Sequence, residues 1–211
     1  MNAASHLPSR ATLVGLGRGG VAFELGLYRS LYRWAFRRPL GPQGSEPFTY
    51  VGIVQAPLWA FIGLSAVEMA ILPLVLPWRS AQVASLALGS WGLAWMVGLL
   101  ASLHVHPHLI TDSGLRIRYG SAIDIDVPWE AVATIRHRRR DCPGSRTVHL
   151  DPDEAGTVAQ IAVSGQTNID LVLRRPLTVP LKGGQETVTE MHFFADDPRT
   201  VVAGARPAVT S

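Results

Sequence analysis

Glu68 asks the most of its surroundings. It is the only ionisable group between Val51 and Trp78, and a carboxylate in so apolar a run costs several kcal/mol unless it is paired, protonated or facing water. Ser90 and the Trp91 indole lie at similar depth, counted from the short polar break at Arg79 and Ser80. One reading is a protonated Glu68 hydrogen-bonded to one of them. The other is an ion or proton path, which two helices can form only by oligomerising.

Three further patterns invite chemistry. Gly15, Gly17 and Gly20 satisfy the GxGxxG spacing of a dinucleotide loop, but about twenty residues on stand Arg37, Arg38 and Pro39 where a ribose-binding acid belongs. The glycines read as a flexible lead. His104, His106 and His108 would share one face if extended, a spacing a metal can exploit. Pro107 and the end of an apolar run make an interfacial linker instead, and no metal is expected. Arg136, Arg138, Arg139 and Arg140 form the densest basic run. Beside a membrane it suits anionic lipid or an acidic partner protein, and its bland reading is a solvated strand end. No nucleic-acid module accompanies it. Asp151, Asp153 and Glu154 sit among Pro and Gly and read as a solvated loop, and no nucleophile with a base and an orienting partner can be picked out.

The elements that position these residues follow from hydropathy. Only 17% of the 211 residues are charged while 47% are hydrophobic, which excludes intrinsic disorder. The lone Cys142 excludes a disulfide framework or a Cys-rich zinc site. Val51–Trp78 and Ala81–Leu103 each exceed the roughly 20 residues that cross a bilayer, so they form a tight antiparallel hairpin. Trp78 and Arg79 mark its tip. Basic residues crowd both flanks of the hairpin and only Arg79 stands at the tip, which places both termini in the cytoplasm. Pro73 is expected to kink the first span. Ser90, Ala94 and Gly98 fall on one face of the second, facing Gly63, Ala66 and Ala70 of the first or a second copy of the chain.

From about 21 to 38 the period is helical. Arg29, Arg33 and Arg37, with Arg38 adjoining, make a basic stripe among Leu, Tyr, Trp and Phe. This is either an interfacial helix whose arginines meet anionic lipid or a helix packed on the hairpin or the following domain. After His108 the period becomes alternating. Strands are predicted over 108–111, 115–119, 123–127, 131–137, 158–163, 168–173 and 188–194, with a short helix opening at Asp196-Asp197-Pro198.

The runs HLITDSGLRIRYG and IDIDVPWEAVATIR, with a terminal strand and a helix at ADDP, resemble the pleckstrin-homology-like domains attached to short hydrophobic hairpins in bacterial membrane proteins. With the FELGLYRSLYRW segment, nearly the whole chain resembles a family of uncharacterised integral membrane proteins of high-GC bacteria. The resemblance implies a fold and no activity or catalytic residues. The expected architecture is an α+β membrane protein: a cytoplasmic lead over 1–49, a transmembrane hairpin over 50–106 with helices about 51–77 and 81–103, a mostly antiparallel PH-like domain over 107–206 and a tail over 207–211. The expected role is a noncatalytic inner-membrane interaction or scaffold protein without cofactor, engaging anionic lipid, a protein partner and a second copy of the chain in a homo-oligomer. The alternative is a small oligomeric transport or channel subunit using Glu68.

Overall fold

The computed structural model describes residues 24–36, 45–142, 144, 146–153, 156–181 and 184–210. The glycine motif, Arg37, Arg38, Glu154 and the ends of the 21–38 segment lie outside them. Four helices are described: α1 over 24–35, α2 over Gly52–Val75, α3 over Arg79–Val105 and α4 over Pro198–Thr210. Nine strands are described: β1 Glu46–Phe48, β2 His108–Ile110, β3 Gly114–Tyr119, β4 Ile123–Pro128, β5 Val132–Asp141, β6 Val148–Asp153, β7 Gly156–Ile161, β8 Gln166–Leu181 and β9 Gly184–Phe193. The chain is α+β.

α2 and α3 form an antiparallel pair, each long and apolar enough to cross a membrane. Leu64, Val67, Leu74, Val75, Val83 and Leu88 are all more than half exposed on the pair's surface, the inverse of a soluble core helix. α2 runs through Pro73 and stops two residues later, where the Leu76 N–H donates to Leu72 O. Pro73 therefore sits at the helix end rather than at a mid-helix break. α3 is longer than its apolar run requires. Its last two turns are buried, with Leu100 and Ala101 at 0% exposure.

Alternation builds the domain that follows. β1 to β4 form one antiparallel sheet in chain order, and the second sheet has the order β5-β8-β9-β7-β6, all antiparallel except β7 beside β9. In Ile123-Asp-Ile-Asp-Val127 the buried and exposed positions strictly alternate, so Ile125 and Val127 meet the core while Asp124 and Asp126 face water. That core joins Leu115 and Ile117 of the first sheet to Ile169, Leu171, Met191 and Phe193 of the second, capped by Val201 and Ala205 of α4. The Trp129 indole N–H donates to Thr111 O at 2.9 Å, satisfying its one polar group as it packs.

Two segments depart from the sequence reading. Asp151 and Asp153 lie in edge strand β6 and not in a loop; Pro152 is tolerated because an edge strand leaves one row of N–H groups unpaired. The lead before the first span contains a strand that the sequence reading did not predict, β1, which pairs with β2 from Glu46↔Ile110 to Phe48↔His108. The chain thus joins the sheet once before the hairpin and again after it.

Candidate functional site: the junction of hairpin and sheet

Because β1 precedes α2 and β2 follows α3, both feet of the hairpin stand on one sheet edge. Tyr50, Val51, Leu103 and Val163 form a small apolar cluster there, with Tyr119 and Phe194 against it. The polar groups of the junction are paired. The Gly120 N–H donates to the Tyr50 hydroxyl at 2.7 Å, the Ser121 N–H to Ser102 Oγ at 3.1 Å, and the Gly52 N–H to Asp196 Oδ1 at 2.9 Å. Gly120 has φ +51°, and a Cβ there would stand 3.1 Å from Ser102 Oγ, so the turn needs glycine both for its backbone and for the approach of α3. Burial pushes the Tyr50 phenol well above its usual range.

His108 is the centre of the lock. Its Nε2–H donates to Phe194 O at 2.9 Å, its Nδ1 accepts the Arg118 N–H at 3.0 Å, and its ring lies 4.7 Å from Tyr50 and 5.2 Å from Phe193. Burial pushes its pKa down to about 4 against the pull of the Phe194 carbonyl. His104 and His106 instead turn Nδ1 to Leu100 O and Ser102 O, each at 2.9 Å. The three imidazoles do not converge, and both nitrogens of His108 are engaged within the protein.

α1 lies against the foot of α3. A Cβ at Gly98 would meet Leu27 Cβ at 3.4 Å, and the Trp34 and His104 rings are 6.3 Å apart. Leu27 and Ser30 are buried in this contact, while Leu25, Tyr28, Tyr32 and Phe36 are exposed along the opposite stripe with Arg29 beside it. Gly98 therefore receives α1, whereas a Cβ at Gly63 would meet nothing within 4 Å. The close contact between α2 and α3 falls at Gly89, where a Cβ would stand 3.1 Å from Met69 Cγ. The Ser90 hydroxyl reaches Met69 Sδ at 3.5 Å, not Glu68. Glu68 is exposed, makes no hydrogen bond among the described residues, and lines a notch of about 180 Å³ with Gly89 and Gly92. Trp91 is 53% exposed and is not brought to it.

The basic run ends at the same junction. Asp141 pairs with Gln166 across β5 and β8, beside the turn at Val163 that packs on Tyr50 and Leu103. Arg136 and Arg138 are exposed, Arg139 donates to Gln166 Oε1 at 3.1 Å, and Arg140 forks onto both oxygens of Asp170 at 3.1 and 2.8 Å. This pairing holds the Arg140 guanidinium above its ordinary range. Asp170 belongs to a cluster that the sequence reading missed. His192 Nε2 lies 2.9 Å from Glu190 Oε1 and 3.6 Å from Asp170 Oδ1, with Asp170 and His192 each 4% exposed. The three could reach one ion, but Arg140 already occupies Asp170, and buried His192 Nδ1 has no acceptor to orient a metal-bound ring. The donor set fits an ion-pair network. Cys142 is no better suited to catalysis: its thiol donates to Gln160 Oε1 at 2.7 Å, and burial pushes its pKa up, away from the thiolate. Comparison of the chain with protein families, curated proteins and solved structures finds no match.

Proposed function

We propose that the chain is a noncatalytic membrane-anchored interaction or scaffold protein: a two-span hairpin in a bacterial inner membrane that carries a pleckstrin-homology-like sheet domain on the cytoplasmic side, where both termini lie. One observation supports this most. The buried part of α3 begins at Gly98, and about 20 residues counted from Arg79, the thickness of a hydrocarbon core, end at Leu99. The apolar span thus stops where protein packing starts. The same count back from Leu76 ends at Ala56, just above the Tyr50 cluster. The sheet edge then lies at headgroup depth, with Leu25, Tyr28, Tyr32 and Phe36 facing the interface. Arg29, Arg33, Arg138 and Arg139 would meet anionic lipid, each contributing about 1 kcal/mol.

An anchor so rigidly joined to its domain suits presentation of a fixed surface to a partner better than it suits turnover. Purification of the full-length protein from its own membranes in mild detergent, with identification of bound proteins, tests this. We expect a near-stoichiometric partner that is lost when residues 108–211 are removed. A lone homo-oligomer that survives the truncation overturns the reading.

Glu68 favours a second reading, a small oligomeric transport or channel subunit. A carboxylate exposed on the hairpin beside an open notch is costly in hydrocarbon unless protonated or met by another copy.

A further inference from the structure

The notch beside Glu68 is built by both apolar helices. Ser65, Glu68 and Leu72 of α2 face Ser85, Gly89 and Gly92 of α3 around about 180 Å³. The two glycines serve different contacts. Gly89 is used within the chain, since a Cβ there would stand 3.1 Å from Met69 Cγ, whereas a Cβ at Gly92 would meet nothing within 4 Å. Glycine is the weakest helix former after proline, and no neighbour among the described residues requires it at Gly92. In membranes an open glycine face is where the backbone of another helix comes close.

Glu68 supplies the second, independent observation. It lies eight residues from Leu76, about 12 Å along the helix, which is near the middle of a hydrocarbon core about 30 Å thick. No lipid headgroup reaches that depth. The hydroxyls of α3 near the notch are already engaged: Ser85 Oγ donates to Gln82 O at 2.9 Å and Ser90 Oγ to Met69 Sδ at 3.5 Å. The group that completes Glu68 must therefore come from outside the chain, and it must both donate and accept a hydrogen bond within the membrane. A carboxylic acid does both, so a carboxyl is its own complement across a twofold axis. Every copy of the chain inserts to one depth, and a twofold axis along the membrane normal sets Glu68 opposite Glu68 with no further adjustment.

We propose that the notch is one half of an interface between two copies of this chain, closed at its centre by a hydrogen-bonded pair of Glu68 carboxyls. The proposal rests on the bilayer placement above and needs no transport activity. It sets two sheet domains side by side on one membrane face, a bivalent surface for a partner.

The test is disulfide trapping of the full-length protein in its own membranes, in a Cys142→Ser background, with a membrane-permeant oxidant. Ser65→Cys and Leu72→Cys, which line the notch, should each give a cross-linked dimer, and Val67→Cys, exposed on α2 but outside the notch, should not. Glu68→Ala should lower trapping at Leu72→Cys about fivefold, and Gly92→Leu should do the same by filling the notch. Glu68→Gln should keep it, because a carboxamide also donates and accepts. Trapping at all three positions alike, trapping at none, or Glu68→Ala or Gly92→Leu without effect overturns the proposal. Bound partner proteins are identified from the same membranes, and maleimide labelling of Ser80→Cys from outside reads the bilayer placement, so loss of the dimer is distinguishable from failure of the scaffold reading or of that placement.

Discussion

The Tyr50 hydroxyl accepts the Gly120 N–H at 2.7 Å, joining the residue that leads into the hairpin to the turn between β3 and β4. Tyr50 is fully buried, so Tyr50→Phe leaves that N–H without a partner and without water. We expect a loss of about 1–3 kcal/mol, read as a lower unfolding midpoint in detergent. A Phe variant as stable as the parent would mean that the bond does not hold the junction.

His108 makes stability depend on pH. Its folded pKa of about 4 lies below the ordinary 6.5, so between those values the unfolded chain binds the extra proton. The contribution is complete above pH 6.5 and is lost as pH falls towards 4. By linkage the loss is about 2 kcal/mol at pH 5. Denaturant midpoints at pH 7 and pH 5 measure it, and His108→Gln should flatten the difference while lowering stability at both.

Gly98 seats α1. Gly98→Leu pushes a branched side chain into Leu27, whereas Gly98→Ala adds a Cβ at van der Waals distance. Trypsin should cleave at Arg29 and Arg33 faster in the Leu variant and at parental rate in the Ala variant. Equal protection in all three would place the docking of α1 elsewhere.

Glu68→Gln separates the two functional readings. Removing a carboxyl that has no partner among the described residues should leave partner retention unchanged and thermal stability equal or higher. An ion leak in proteoliposomes that this substitution abolishes would move the assignment to transport.

The hairpin was legible because twenty-odd apolar residues admit few structures, and the strands because alternation fixes which side chain faces the core. β6 escaped: Asp, Pro and Asp look like a loop until an edge strand supplies the one place that tolerates them. The stripe of small residues was visible, but not that α1 rather than α2 would meet it at Gly98, since spacing names a face and not its occupant. His108 was read as one of three alike, because only the fold distinguishes the imidazole it buries. Asp170 and His192 lie on the polar parity of their strands; nothing local signals that Arg140 pairs with Asp170.

The central claim is that the hairpin crosses the membrane with the sheet domain fixed on the cytoplasmic side. Cys142 is buried, so single cysteines in a Cys142→Ser background report accessibility directly. An impermeant maleimide should label Ser80→Cys in intact spheroplasts and Arg138→Cys only after lysis. Labelling of both positions from the outside, or of neither until lysis, would contradict the account.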